Sequence, residues 1–547
     1  MNTPAPIEQV AAACGIPTQT LESYGRYTAK VPLTQGVGPA PLVMVTAVTP
    51  TPLGEGKTTT AIGLTQALAR LGRRPVLTLR QPSQGPTFGV KGGAAGAGAS
   101  QVIPAELLNL HLTGDFHAVT AAHNLLAAML DNHLYHGNPL RIAPHTVTWP
   151  RVLDVNDRAL RHVVIGLGGA KDGVPRQASF EITAASELMA LLSLTRDIAD
   201  LRARLGRIVV ADDDSGRPVT AADLQADGAM AALLAEAVKP NLMQTGEGQP
   251  VLVHTGPFGN IATGNSSVVA DLVASQLGDI VVTESGFGAD LGAERLVNVK
   301  SRASHYPPHA AVVVVTVRAL KALSGRYRLA PGRPLPDELV QENVADVVAG
   351  LPNLARHLAT VAHWGLPAVV AINAFGQDHA SEHAAISDFC AHAGVPCAVT
   401  THVADGGAGA QDLAALVLDA VTQPSQLRRD YELDEPIVDK LRAVARGVYG
   451  AADVAVAPDA QRALERFEQL GYGTLPVVIA KTHLSLTHDR AVSADQPWTL
   501  PIREVRLAAG AGYVYALAGA ISTMPGLPTR PNAQRIDVVD GRPVGLT

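Results

Sequence analysis

Val43-Met44-Val45-Thr46-Ala47-Val48-Thr49-Pro50-Thr51-Pro52-Leu53-Gly54-Glu55-Gly56-Lys57-Thr58-Thr59-Thr60 is the stretch whose reading decides the fold. It opens as an apolar, β-branched run, the pattern of a strand buried on both faces. Two prolines and two glycines then break it. Beyond Lys57 the apolar spacing Ile62, Leu64, Ala67, Leu68, Leu71 suits a helix. Strand, glycine loop and helix together are the context a phosphate-binding loop needs. Glycines let backbone N–H groups turn onto phosphate oxygens, and a helix N-terminus adds partial positive charge. The expected nucleotide-binding residues are Thr51, Pro52, Leu53, Gly54, Glu55, Gly56, Lys57, Thr58 and Thr59. Lys57 is expected to reach the terminal phosphates and Thr58 to hold Mg²⁺ through ATP. The usual motif opens on glycine, whereas this one opens on Thr51. A bare Gly-Lys-Thr is also compatible with a surface turn, so the flanking strand and helix carry the inference.

Short β-branched runs recur at 76–79, 162–167, 207–211, 251–254, 279–283, 311–317, 368–372 and 477–480. Ala/Leu-rich stretches at 184–205, 221–238 and 268–277 read as intervening helices. That alternation predicts an α/β protein. We expect a P-loop NTPase-like large domain with a mostly parallel sheet at 1–330, a second α/β domain at 331–430 and a C-terminal α/β domain at 431–547. The Arg/Pro/Gly-rich segment Gly325–Pro336 is the clearest linker, with a second seam near 423–436.

In such sheets ligands gather at the carboxyl ends of strands. Polar or glycine-rich turns follow Leu79, His254, Thr283 and Ile372, so four loops are candidates for one rim. Arg80 stands out, because a planar guanidinium at a strand end can hold a carboxylate or phosphate with two parallel hydrogen bonds. The small-sided tract Lys91–Gly98 reads as a lid, a close-approach backbone or a packing turn.

Composition narrows the alternatives. A net charge of −6 gives no basic footprint for nucleic acid. Apolar runs are too short to predict a membrane span, and the N-terminus has no signal-peptide pattern. Cys14, Cys390 and Cys397 show no metal or disulfide spacing, which fits a reduced, cytoplasmic setting. Gly286–Gly292 imitates a dinucleotide fingerprint, but its spacing is one residue too long. His379-Ala-Ser-Glu382-His383 imitates an inverted zinc-protease motif without an evident third ligand, and a solvated helix start is the expected reading. His133 and His136 are expected at the surface.

Several strings, in order along essentially the whole chain, resemble the formate–tetrahydrofolate ligase family. They are Thr51–Thr59, Lys91–Gly96, Thr113-Gly114-Asp115, Val238–Leu242, Gly286–Glu294, Arg503–Arg506 and Thr523–Pro528. The resemblance implies that formate attacks the γ-phosphate of MgATP to give formyl phosphate, and that N10 of tetrahydrofolate then takes the formyl group. It implies catalytic roles for Lys57 and Arg80, and substrate contacts at Arg80, Gln81, Phe375 and Val403. It also implies a homotetramer stimulated by K⁺ or NH₄⁺.

Departures from the family pattern cluster on the folate side. Gln81 and Gln84 stand where the family has Glu and Leu, and Ala99 where it has Tyr. Val403, Asp405 and Ala408 stand where it has Trp, Lys and Glu. The family His-Gly-Gly is altered at Ala322–Gly325. In the family a pterin ring lies between that Trp and the Phe matching Phe375, so one half of the sandwich is missing. Three readings follow: a divergent ligase, a paralogue that activates formate or another small carboxylate for a different acceptor, and a non-catalytic ATP-binding relative.

Overall fold

The computed structural model describes residues 3–546 except 35, 91–93, 170, 260, 261, 328, 330–335, 493, 495 and 520. The start of the small-sided tract and most of the expected linker therefore lie outside the described residues. The elements that position the site are β1 (Leu42–Ala47), α1 (Lys57–Arg70), β2 (Pro75–Leu79), β3 (Asn241–Thr245), β4 (Pro250–Val253), β5 (Ile280–Glu284), β6 (Ala310–Val315), α2 (Val344–His363), β7 (Ala368–Asn373) and β8 (Cys397–Thr400). Seven strands run parallel in the spatial order β4-β2-β5-β1-β6-β7-β8. On the β4 side, β3 and a short hairpin extend the sheet antiparallel. The chain is thus an α/β protein built on a large, mostly parallel sheet, and segment 331–430 adds β7 and β8 to it.

β1 is central and fully buried. Val43, Val45 and Ala47 pack with Leu64 and Leu68 of α1 on one face. Met44 and Val48 pack with Leu354 and Val361 of α2 on the other. Side chains alternate across a strand, so a strand between two helical layers needs apolar residues at every position. Each such burial contributes about 1.5–3 kcal/mol. The loop that follows β1 is therefore attached to a strand packed on both faces.

Three expected strands exist but lie outside this sheet. Val163–Ile165 pairs with Arg176–Ala178, Val209–Asp212 with Pro218–Thr220, and Val477–Ala480 joins a three-stranded sheet with Glu504–Ala508 and Tyr513–Leu517. The expected helix at 184–205 is two helices, Glu187–Leu194 and Ile198–Gly206. Asp197 separates them by accepting the Asp200 amide, an N-cap that starts a new helix. The expected helix at 221–238 shrinks to Asp227–Leu234. No helix among the described residues is long and apolar enough to cross a membrane.

Candidate functional site

The loop from Thr51 to Gly56 closes on itself. Glu55 Oε1 accepts the Thr51 amide at 2.6 Å, Thr51 Oγ1 accepts the Leu53 amide, and the Thr51 carbonyl accepts the Gly54 amide. Three loop amides are thus used within the turn. Gly54 and Gly56 sit at φ +76° and +79°, a region open to glycine and costly to other residues. Asn373, at the end of β7, donates from Nδ2 to the Glu55 carbonyl at 3.1 Å. A Cβ on Gly56 would lie 2.3 Å from that same nitrogen, so the clamp requires glycine there.

Gly56 is the N-cap of α1 and has no side chain with which to cap it. The first amides of the helix therefore have no acceptor inside the helix, an arrangement that suits an anion, with the positive end of the dipole behind it. Lys57 lies beside it, with Nζ 3.6 Å from Glu55 Oε2. Asn373 Oδ1, on the same side chain that clamps the loop, is buried without a hydrogen-bond partner among the described residues.

The four rim loops converge on this point. Thr58 Oγ1 donates to Glu284 Oε2 at 2.8 Å, and Arg80 Nη2 lies 3.8 Å from Glu284 Oε1. Arg80 also donates to the Pro257 carbonyl at 3.1 Å. Burial lowers its pKa, and the neighbouring Glu284 carboxylate opposes that shift. A Cβ at Gly286 would lie 2.8 Å from Arg80 Nη2, and one at Gly292 would lie 2.3 Å from the Gly286 carbonyl. The glycines that imitate a dinucleotide fingerprint thus serve close packing and room for a guanidinium. Gln81 is buried, gives its amide to the Thr255 carbonyl and leaves Oε1 without a partner. Sequence reasoning placed Glu284 only within a rim loop and gave it no role. Its signal was an acidic residue ending a buried strand beside β1.

Phe375 and Val403 follow the neighbouring ends of β7 and β8, where the Ala374 amide donates to the Thr400 carbonyl. The Arg318 guanidinium covers one face of the half-buried Phe375 at 3.6 Å from the ring centroid, a cation–π contact. Arg318 was also missed; it follows the carboxyl end of β6. The carbonyl of Val403 accepts the Ala99 amide at 2.8 Å, so two of the positions that depart from the family pattern touch each other. His402, beside Val403, packs against α1. A Cβ at Gly63 would lie 2.4 Å from the His402 Cβ, and His402 Nε2 is 3.3 Å from Thr59 Oγ1. Burial pushes the His402 imidazole down to about 4, which keeps it neutral near pH 7. The loop after β8 is therefore braced on the helix that presents Lys57.

The zinc-like string has a different use. His383 Nε2 lies 3.2 Å from Asp378. Glu382 is buried rather than solvated, pairs with Lys321 Nζ at 2.5 Å and accepts the amides of Asn343 and His379. His133, expected at the surface, accepts the Leu140 amide with Nε2. No group of three or more potential metal-ligating side chains occurs among the described residues.

A parallel sheet that collects a glycine loop, an uncapped helix start, a lysine, a threonine–carboxylate pair and an arginine on one rim defines an α/β protein whose candidate site lies at the carboxyl ends of its strands. Comparison narrows this class. The family model described as "Formate--tetrahydrofolate ligase" matches residues 1–547. A protein of that name from Cutibacterium acnes is 56% identical over 99% of this chain and 97% of its own length. One from Roseiflexus sp. is 57% identical over 99% of this chain and 98% of its own. "Formate--tetrahydrofolate ligase 2" from Rubrobacter xylanophilus is 54% identical, with 99% and 97% covered. The chain belongs to the formate–tetrahydrofolate ligase family.

Proposed function

We propose that this chain joins formate to tetrahydrofolate at the expense of ATP, giving 10-formyltetrahydrofolate through formyl phosphate on the rim between β1, β2, β5 and β7. The observation that carries the reading is the convergence of Lys57, Thr58, Glu284 and Arg80 at the end of β1, in a chain of this family. The large sheet acts as a P-loop NTPase-like platform, with 1–330 supplying the phosphate site, 331–430 the Phe375 and Val403 edge, and 431–547 a C-terminal α/β unit. The segment Thr51–Thr59 forms the nucleotide loop, in which the outward amides of residues 56–59 meet phosphate oxygens and Lys57 meets the terminal phosphate. Arg80 steadies the formate carboxylate and then the acyl phosphate. This is catalysis by positioning and charge neutralisation.

Thr58 Oγ1 and the Glu284 carboxylate are a hard-oxygen pair suited to Mg²⁺, which shares its remaining ligands with phosphate and water. When bound, the metal neutralises charge on the transferring phosphoryl group. Glu284→Gln removes the charge and keeps the shape. It is expected to raise the Mg²⁺ concentration needed for half-maximal activity at least tenfold, read from formate-dependent ADP release against total Mg²⁺. An unchanged Mg²⁺ requirement removes Glu284 from the metal site.

Gln81, Phe375 and Val403 are assigned to the formyl-acceptor side. Phe375 offers a flat, half-buried ring, and Val403 stands across the neighbouring strand end. Val403→Trp is expected to tighten tetrahydrofolate about 2- to 10-fold, as an aromatic pair adds roughly 0.5–1.5 kcal/mol beyond its buried area. Equilibrium titration checks it, and no gain dismisses the assignment of this loop. Dependence on K⁺ or NH₄⁺, assembly as a homotetramer and a cytoplasmic location complete the reading; the family resemblance supports them.

The deciding experiment mixes purified protein with ATP, Mg²⁺ and formate, with and without tetrahydrofolate. Folate-dependent 10-formyl product is expected. ADP release with no folate product instead assigns a different acceptor, a reading favoured by the short side chains at Ala99 and Val403. No turnover under any condition leaves a non-catalytic relative.

A further inference from the structure

A cavity of about 450 Å³ lies far along the chain from the rim, between Thr146–Pro150 and Glu181–Glu187 on one wall and the C-terminal segments 466–470 and 504–515 on the other. No residue of the Lys57 loop lines it, nor does Arg80, Glu284, Phe375 or Val403. Its volume is that of a small-molecule site. Its charge is unbalanced. Four carboxylates, Glu181, Glu187, Asp212 and Glu504, face two guanidinium groups, and both guanidinium groups are already engaged. Arg466 pairs with Asp212 at 2.6 Å, and Arg506 pairs with Glu504 at 2.5 Å and approaches Glu181 at 4.0 Å.

Glu187 is left over. Its Oε1 accepts the amides of Gly510 and Ala511 at 2.7 and 3.3 Å, and its Oε2 makes no hydrogen bond among the described residues. No lysine or arginine nitrogen pairs with it there. Burial, with Glu181 as a like-charged neighbour, pushes the Glu187 carboxyl up to about 7. Tyr513 and Tyr515 stand on the same lining, and Trp149, stacked on His123 with centroids 4.0 Å apart, provides a flat aromatic wall. A carboxylate without a counter-ion is costly to bury, and a cation that supplies two donors relieves that cost.

The geometry points to a binding site in this cavity for a small organic cation with a flat or apolar body, held through the free oxygen of Glu187 against the Trp149 and Tyr513 walls. The class is an aryl amidine or arylalkylamine, and the site is separate from the ligase centre. A purely structural role for Glu187 is the competing account, since Oε1 anchors the 510–511 turn. Glu187→Gln separates the two, because the amide oxygen still accepts both N–H groups while the charge is gone.

The test uses full-length protein at pH 8 and the probe benzamidine, with neutral benzamide as its near-isostere. Binding is followed by calorimetry and by Trp149 fluorescence, with Trp149→Phe assigning the optical signal. Benzamidine is expected to bind saturably and benzamide at least tenfold more weakly. Glu187→Gln should lose at least tenfold in benzamidine affinity while keeping its unfolding temperature and its ligase rate. Equal affinity for the two probes on the unaltered protein overturns the proposal whether or not the variant folds. So does an unchanged affinity in Glu187→Gln, or no saturable binding.

Discussion

Lys57→Ala is expected to lower formate-dependent ADP release at least about 100-fold, the scale on which removing one preorganised electrostatic contact slows a reaction. The loss should fall mainly on kcat. The helix amides remain to bind ground-state ATP, whereas a lysine at the terminal phosphate matters most as charge shifts during transfer. Folding should be nearly untouched, since the only ion pair of Lys57 among the described residues is the 3.6 Å contact with Glu55. The loop keeps its closure through Glu55 and Thr51 and its clamp from Asn373. Coupled-assay kinetics with a melting curve beside them check both halves. Unchanged ADP release would take this loop out of the mechanism.

That prediction rests on a part of the molecule plainly legible in the sequence. β1 is buried on both faces, so every residue from Leu42 to Ala47 had to be apolar or neutral, and such a run can hardly be anything but a central strand. The two positive-φ glycines and the new helical period after Lys57 announced the turn and the helix. Arg80 was legible for a similar reason, being the first charged residue after an apolar strand. What a run of β-branched residues cannot declare is its partner. Val163–Ile165 and Val209–Asp212 read like members of the main sheet, and pair elsewhere. Pairing is decided by long-range packing that no local period encodes.

Glu284 and Arg318 show the same limit at the site. Each follows or ends a strand, where charged residues are ordinary. Their meaning comes from what other strands bring beside them: Thr58 and Arg80 for the first, Phe375 for the second. The break at Asp197 was readable in hindsight, because an aspartate three residues before an acceptable N3 position is a helix start. The Ala/Leu richness on both sides masked it. Glu382 failed in the other direction. A glutamate in a first helical turn usually faces water, and here a buried Lys321 draws it inward.

Arg80 carries the second large expected effect. Arg80→Lys keeps one positive charge but loses the planar fork, and carboxylate or acyl phosphate is best held by two parallel N–H donors. Formate turnover is expected to fall about 100-fold or more in kcat/KM, with KM for formate rising and KM for ATP changing little. The separation follows from the geometry. Arg80 approaches Glu284 and the Pro257 carbonyl from β2, while residues 51–59, the proposed nucleotide cradle, follow β1 on the other side of β5. A lysine ammonium on a thinner stem also leaves the space beside Gly286 partly empty, and that glycine is the one whose missing Cβ makes room for the guanidinium. Arg80→Ala should be worse in rate, because Glu284 then faces the site without its cationic neighbour and repels the formate carboxylate. Steady-state kinetics in formate and in ATP decide the matter. If both KM values move together, Arg80 holds the loops in place and leaves the acyl group to another residue.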